Sequence, residues 1–120
     1  MSKPKRLSLL LLLAAVVWVA APFEARSQAS PRVIDITAKR FEFTPNQITL
    51  KRGEHVILRV KSMDVTHGFF SRQLKIDGLI EPGKTLEVNL TPQTPGTYAV
   101  ICHHFCGSGH GNMKMSIVVE

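Results

Sequence analysis

After Ala21 the apolar residues of this chain never repeat at the 3.6-residue period of a helix; they fall into short alternating runs cut by turn residues. No feature constrains the fold more. Arg32–Ala38 (RVIDITA) sets Val33, Asp35 and Thr37 against Ile34, Ile36 and Ala38. Phe41-Glu42-Phe43 alternates again before Thr44-Pro45-Asn46 turns the chain. Gln47–Lys51 reads as a short strand closed by Arg52-Gly53. His55–Lys61 (HVILRVK) places Val56, Leu58 and Val60 on one face and His55, Ile57, Arg59 and Lys61 on the other. Pro82-Gly83 leads into Thr85–Leu90, and Pro95-Gly96 leads into Thr97–Ile101. Met115–Val119 closes the series. About seven strands with one apolar face each predict two sheets packed face to face, an all-β sandwich.

The N-terminus follows different rules. Met1–Arg6 is basic, Leu7–Ala21 is apolar apart from Ser8, and Pro22 ends the run. Ser27-Gln28-Ala29 supplies small residues before a cut after Ala29, so residues 1–29 read as an export signal. The apolar run is short of the roughly 20 residues of a membrane span, yet Leu7–Phe23 could cross with modest thinning. The alternative is therefore a retained tether through residues 7–23. In either case residues 30–120, long enough for one core, are expected outside the cytoplasm: in the periplasm or on the outer face of the cytoplasmic membrane.

The basic balance of the whole chain belongs partly to that leader. Beyond Ala29 eleven basic residues face eight acidic ones, a net +3, and they are scattered between apolar positions. A nucleic-acid binder clusters its cations beside aromatic or groove-reading elements, so nucleic acid is not an expected partner.

Chemistry concentrates in Ile101–Met115 (ICHHFCGSGHGNMKM), between the last two expected strands. Both cysteines, three of the five histidines and two of the four methionines lie there. Cys102, Cys106, His110 and Met113 combine thiolate, imidazole and thioether, a soft set that suits copper. Zinc rarely takes methionine. Calcium and magnesium want oxygen ligands, and no carboxylate lies between Glu87 and Glu120. Two cysteines in an exported chain can also oxidise to a disulfide, but a staple has no use for His110 or Met113. A catalytic cysteine would want one reactive thiol, a histidine base and an orienting Asn or Asp, which fits poorly. Met115 opens the core alternation with Ile117 and Val119; Met113 shares that parity and reads equally as ligand or core. Gly107-Ser108-Gly109 reads as a flexible bend returning His110 toward the thiols. A second loop, Ser62–Phe70 (SMDVTHGFF), offers His67 beside Val65, Phe69 and Phe70, where a histidine is more often simply packed. His55 reads as a surface residue.

These motifs resemble the copper A (CuA) domain of cytochrome c oxidase subunit II, also found in nitrous oxide reductase. The family pattern C-x-E-x-C-G-S-G-H-x-x-M is matched from Cys102 to Met113. Its upstream S-x-D-V-x-H-S-F is matched from Ser62 to Phe69, and its P-G-x-Y lead by Pro95-Gly96-Thr97-Tyr98. The resemblance spans roughly Phe41 to Glu120. It implies a cupredoxin-like Greek-key β-sandwich with two copper ions. Cys102 and Cys106 would bridge them, His67 and His110 would each bind one, and Met113 would be a weak axial ligand. The residue at the glutamate position, here His104, would offer its backbone carbonyl. Sharing one electron between two ions through two thiolates changes each bond little, which suits fast electron transfer.

The chain departs from the family in places. His104 replaces the glutamate, so an imidazole is available there as a further ligand, and His103 adjoins it facing solvent. The only tryptophan is Trp18, so the one through which oxidase subunits receive electrons is missing, as is the usual pair of membrane helices. A net +3 is not the acidic face that a basic cytochrome c prefers. The resulting expectation is an exported electron-transfer cupredoxin working with a redox partner such as a cytochrome c or a terminal oxidase. Two alternatives stand beside it: a subunit or accessory module of a haem–copper oxidase, and a copper storage or delivery protein with a mononuclear site. None of these requires catalysis by the domain alone.

Overall fold

Period-two alternation translates directly into burial. In the computed structural model, which describes residues 1–3, 16–22 and 30–120, the chain runs through β1 (Arg32–Lys39), β2 (Glu42–Thr44), β3 (Gln47–Leu50) and β4 (Val56–Ser62). It continues through β5 (His67–Ser71), β6 (Ile76–Ile80), β7 (Thr85–Leu90), β8 (Gly96–Ile101), a single 3-10 turn (His110–Asn112) and β9 (Lys114–Val119). Most of the expected leader and the cut after Ala29 lie outside the described residues.

One sheet has the order β2-β1-β4-β7 and the other β3-β9-β8-β5-β6. Two parallel pairings, β1 with β4 and β3 with β9, are set among antiparallel ones. Hence the chain changes sheet between β2 and β3, at Thr44-Pro45-Asn46. Val56, Leu58 and Val60 are fully buried, as their alternation predicts, and share one core with Ile36 and Ala38 of the adjacent β1 and with Val100, Met115 and Ile117 of the other sheet. Phe43 and Phe69 join the sheets edge to face, with ring centroids 5.6 Å apart.

Two strands go beyond the sequence reading. Residues His67–Ser71 read as loop but form β5, an interior strand, and β6 was not expected at all. The reason is burial on both sides: His67, Gly68, Phe69 and Ser71 are all buried, so β5 carries no alternation to read. Gly78 breaks the pattern of β6, and a side chain there would strike Leu86.

A candidate copper centre

The loop joining β8 to β9 is folded by its own backbone. The Cys102 N–H donates to the Met113 carbonyl, closing the loop at its base. His110 N–H and Met113 N–H donate to the carbonyls of Gly107 and His110, giving the tight turn that carries His110. Gly107 has φ +140°, and a Cβ there would sit 2.8 Å from the Phe41 ring. A Cβ on Gly109 would sit 2.5 Å from that ring. Gly107 thus takes a backbone conformation that favours glycine, and a side chain at either position would have to displace the Phe41 ring that covers the bend.

The sequence-predicted residues meet at one end of the sandwich. Cys102 and Cys106 are buried free thiols with Sγ atoms 3.7 Å apart, well beyond a disulfide bond. Cys106 Sγ lies 3.8 Å from His110 Nδ1 and 3.9 Å from Met113 Sδ. A ring nitrogen of His67 and both Sγ atoms fall within 4.8 Å of one another. Two sulfurs 3.7 Å apart are closer than twice a metal–thiolate bond of ~2.3 Å, taking zinc as the gauge, so one ion can touch both. Met113 is 1% exposed, as a core residue would be, yet its sulfur points at Cys106. His104 splits in two: its carbonyl oxygen accepts from Cys102 Sγ at 3.2 Å while the residue is exposed. His55 lies on the surface against Asn89.

His67 is held ready for an ion. It is fully buried, and its Nε2 sits 2.7 Å from Asp64 Oδ1. Burial pushes the Asp64 carboxyl up, but the Arg40 N–H, the His67 ring and the Val65 N–H outweigh it and hold it at about 2. An ionised carboxylate only accepts, so Nε2 carries the proton and the lone pair is left on Nδ1. That Nδ1 is buried and has no hydrogen-bond partner among the described residues. An orphaned acceptor beside two thiols fits a thiophilic ion.

The sulfurs are tuned by their surroundings. Burial, and then the neighbouring Cys102 sulfur, pushes the metal-free Cys106 thiol up to about 11. The backbone N–H of Gly68 donates to Cys102 Sγ at 3.3 Å. A Cβ on Gly68 would press into the His103 ring and come 2.5 Å from the His103 backbone nitrogen, so only glycine lets β5 approach this closely. A hollow of about 200 Å³, lined by Arg40, Thr66, His104 and Phe105, opens beside Cys106.

Sequence reasoning missed Arg40 and the covering role of Phe41. Arg40 donates through its backbone N–H to Asp64 Oδ2 and through Nε to the Cys106 carbonyl, both at 2.8 Å, tying both loops to the β1–β2 corner. No local pattern announces a contact made across 66 residues.

Known proteins resemble this chain in sequence and in fold. Residues 9–119 match the cupredoxin-like domain family. Two subunit 2 sequences of cytochrome c oxidase from Thermus thermophilus are 35% identical over 103 residues, 84% of this chain and 76% or 61% of theirs. A chain of a haem–copper terminal oxidase dimer superposes with a TM-score of 0.68 at 28% identity, over 74% of this chain and 65% of that one. The periplasmic domain of oxidase subunit II from Bradyrhizobium japonicum gives a TM-score of 0.69 at 18% identity, over 74% of this chain and 83% of that one, a likeness of fold. The chain belongs to the cupredoxin-like domain family, as a copper-binding member related to subunit II of cytochrome c oxidase.

Proposed function

We propose that this domain is an exported electron-transfer module holding a dinuclear CuA-type centre. The observation that carries the reading is His67 Nδ1, buried, unpartnered and grouped with two free thiols. Cys102 and Cys106 would hold the copper through their sulfurs, His67 and His110 through imidazole nitrogens, Met113 through its thioether and His104 through its carbonyl oxygen. The separations of 3.7 to 3.9 Å from Cys106 Sγ to the Cys102 sulfur, His110 Nδ1 and the Met113 sulfur, and 3.2 Å from Cys102 Sγ to the His104 carbonyl, support this set. A bound copper pair would supply reversible one-electron storage. The chain's own groups do the rest. Asp64 fixes the His67 tautomer, the Gly68 N–H donates to the Cys102 sulfur, and close packing limits ligand movement between redox states.

The relatives at 35% identity are cytochrome c oxidase subunit 2 sequences, so the electron acceptor we propose is a haem–copper terminal oxidase, with this domain as its subunit or accessory module. Its site is expected in the periplasm or on the outer membrane face. Copper is to be counted after anaerobic reconstitution, and its spectrum recorded. Two ions per chain with one electron delocalised over both are expected. Cys102→Ser and Cys106→Ser should each destroy that spectrum. One ion per chain, or a blue mononuclear site surviving Cys102→Ser, rejects the dicopper reading in favour of copper storage or delivery. Co-purification with an oxidase core tests the partner separately.

A further inference from the structure

His67 and Cys102 reach the site from different strands, and the seam between those strands is thin. His67 opens β5, Cys102 follows β8, and among the described residues the β5–β8 ladder has one register pair, Phe70 opposite Ile101. On its other side β5 is fully paired with β6, where Phe70 lies opposite Asp77. His103, the residue after Cys102, crosses this seam. Its ring stacks on Phe70 with centroids 5.1 Å apart and planes 23° from parallel. Its Nε2 reaches Asp77 Oδ1 at 2.8 Å, on the far side of β5. Beneath that ring lies Gly68, whose N–H donates to the Cys102 sulfur.

We propose that His103 and Asp77 form a strap across β5 that positions His67 and the Gly68 N–H against Cys102 and thereby sets the reduction potential of the copper centre. The inference rests on the copper reading above for its second half only; the strap itself is a property of the chain. Neither His103 nor Asp77 is a ligand; they are positioning residues. The physical link is the hydrogen bond to sulfur. Such bonds stabilise the electron-rich reduced form of a thiolate-bound metal, so they raise its potential. Letting the seam open lengthens the bond from Gly68 and lowers the potential. The strap is a surface contact, Asp77 being 74% exposed, so its energetic weight is that of an exposed pair.

The test uses His103→Ala, Asp77→Ala, the double variant and Asp77→Asn in the full chain. Hydrogen exchange at the Gly68 amide is followed in the metal-free protein, and the potential and absorption spectrum after copper loading. Both single alanine variants are expected to speed Gly68 exchange by about twofold to fivefold, the factor an exposed pair supports. Both should lower the potential, His103→Ala at least as much as Asp77→Ala because it also removes the ring stacked on Phe70, and the double variant by no more than His103→Ala. Asp77→Asn keeps an acceptor for Nε2 and should match the wild type. Unchanged exchange and potential in both alanine variants overturn the proposal. So does an effect of His103→Ala that Asp77→Ala does not share, or Asp77→Asn behaving like Asp77→Ala, which would make charge the cause. Should His103→Ala not fold, the contrast between the two Asp77 variants decides. Should the wild type fail to take two coppers, the dicopper reading falls, while Gly68 exchange still decides whether the strap exists.

Discussion

Replacing Gly68 with alanine adds one methyl group at the tightest point of the site. The new Cβ would lie 2.5 Å from the backbone nitrogen of His103 and 2.6 Å from that of His104, besides striking the His103 ring. A side chain could rotate away; these backbone atoms cannot, because the loop is closed by the Cys102–Met113 hydrogen bond and pinned by Arg40 at the Cys106 carbonyl. Overpacking in a core typically costs about 1–3 kcal/mol, and a backbone obstacle belongs at the upper end, about 3 kcal/mol. In a domain of 60–100 residues each kcal/mol moves Tm by roughly 4–8 °C, so a fall of roughly 12–24 °C is expected. Thermal melting of the metal-free protein, followed by circular dichroism, measures it. Gly111→Ala is the matched control in the same loop: nothing lies within 4 Å of its Cβ, so Tm should stay within a few degrees of wild type. The reasoning is refuted if Gly68→Ala melts with the wild type, or if Gly111→Ala is equally damaging.

Other substitutions probe the ligands and their supports. Asp64→Asn removes the carboxylate that orients His67 and should weaken copper binding about 10–100-fold in competition with a chelator, with the fold retained. Met113→Leu conserves volume at a residue 1% exposed, so stability should change by less than about 1.5 kcal/mol; a shifted potential or spectrum then identifies the sulfur as a ligand rather than packing. The metal-free domain should lose stability as pH rises between 9 and about 11, measured by denaturant titration. The unfolded Cys106 thiol ionises from 9.0, while the folded one keeps its proton until about 11, so the native state is favoured below that window and loses the advantage through it.

How much of this was legible beforehand depended on whether a residue's role is local. Val56, Leu58 and Val60 announce their face by alternation, and Cys102, Cys106, His110 and Met113 announce a soft site by type and spacing. His67 was on offer from the second loop but stood out from a merely packed histidine only through the motif resemblance, since a buried strand such as His67–Ser71 looks the same as an apolar loop. Arg40, Phe41 and Asp77 were illegible because their work is tertiary. They touch the loop from the β1–β2 corner and from β6, and nothing in their neighbourhoods encodes those encounters. His104 shows the same limit within one residue: its type draws attention to the ring, whereas its backbone oxygen faces Cys102.

The parallel pairing of β3 with β9 bears on when the centre can come into being. Gln47 lies opposite Ser116, and Ser116 N–H also donates to the Asn46 carbonyl, so β9 is held between β3 on one side and β8 on the other. The loop bearing Cys102, Cys106, His110 and Met113 hangs between β8 and β9, whose own pairing is local (Ile101 opposite Lys114), whereas the pairing of β9 with β3 joins distant parts of the chain (Gln47 opposite Ser116). A chain still emerging, or held unfolded for passage through a membrane, offers an ion two separate thiols and an unplaced His67. The complete ligand set is therefore a property of the folded chain and of no single stretch of it.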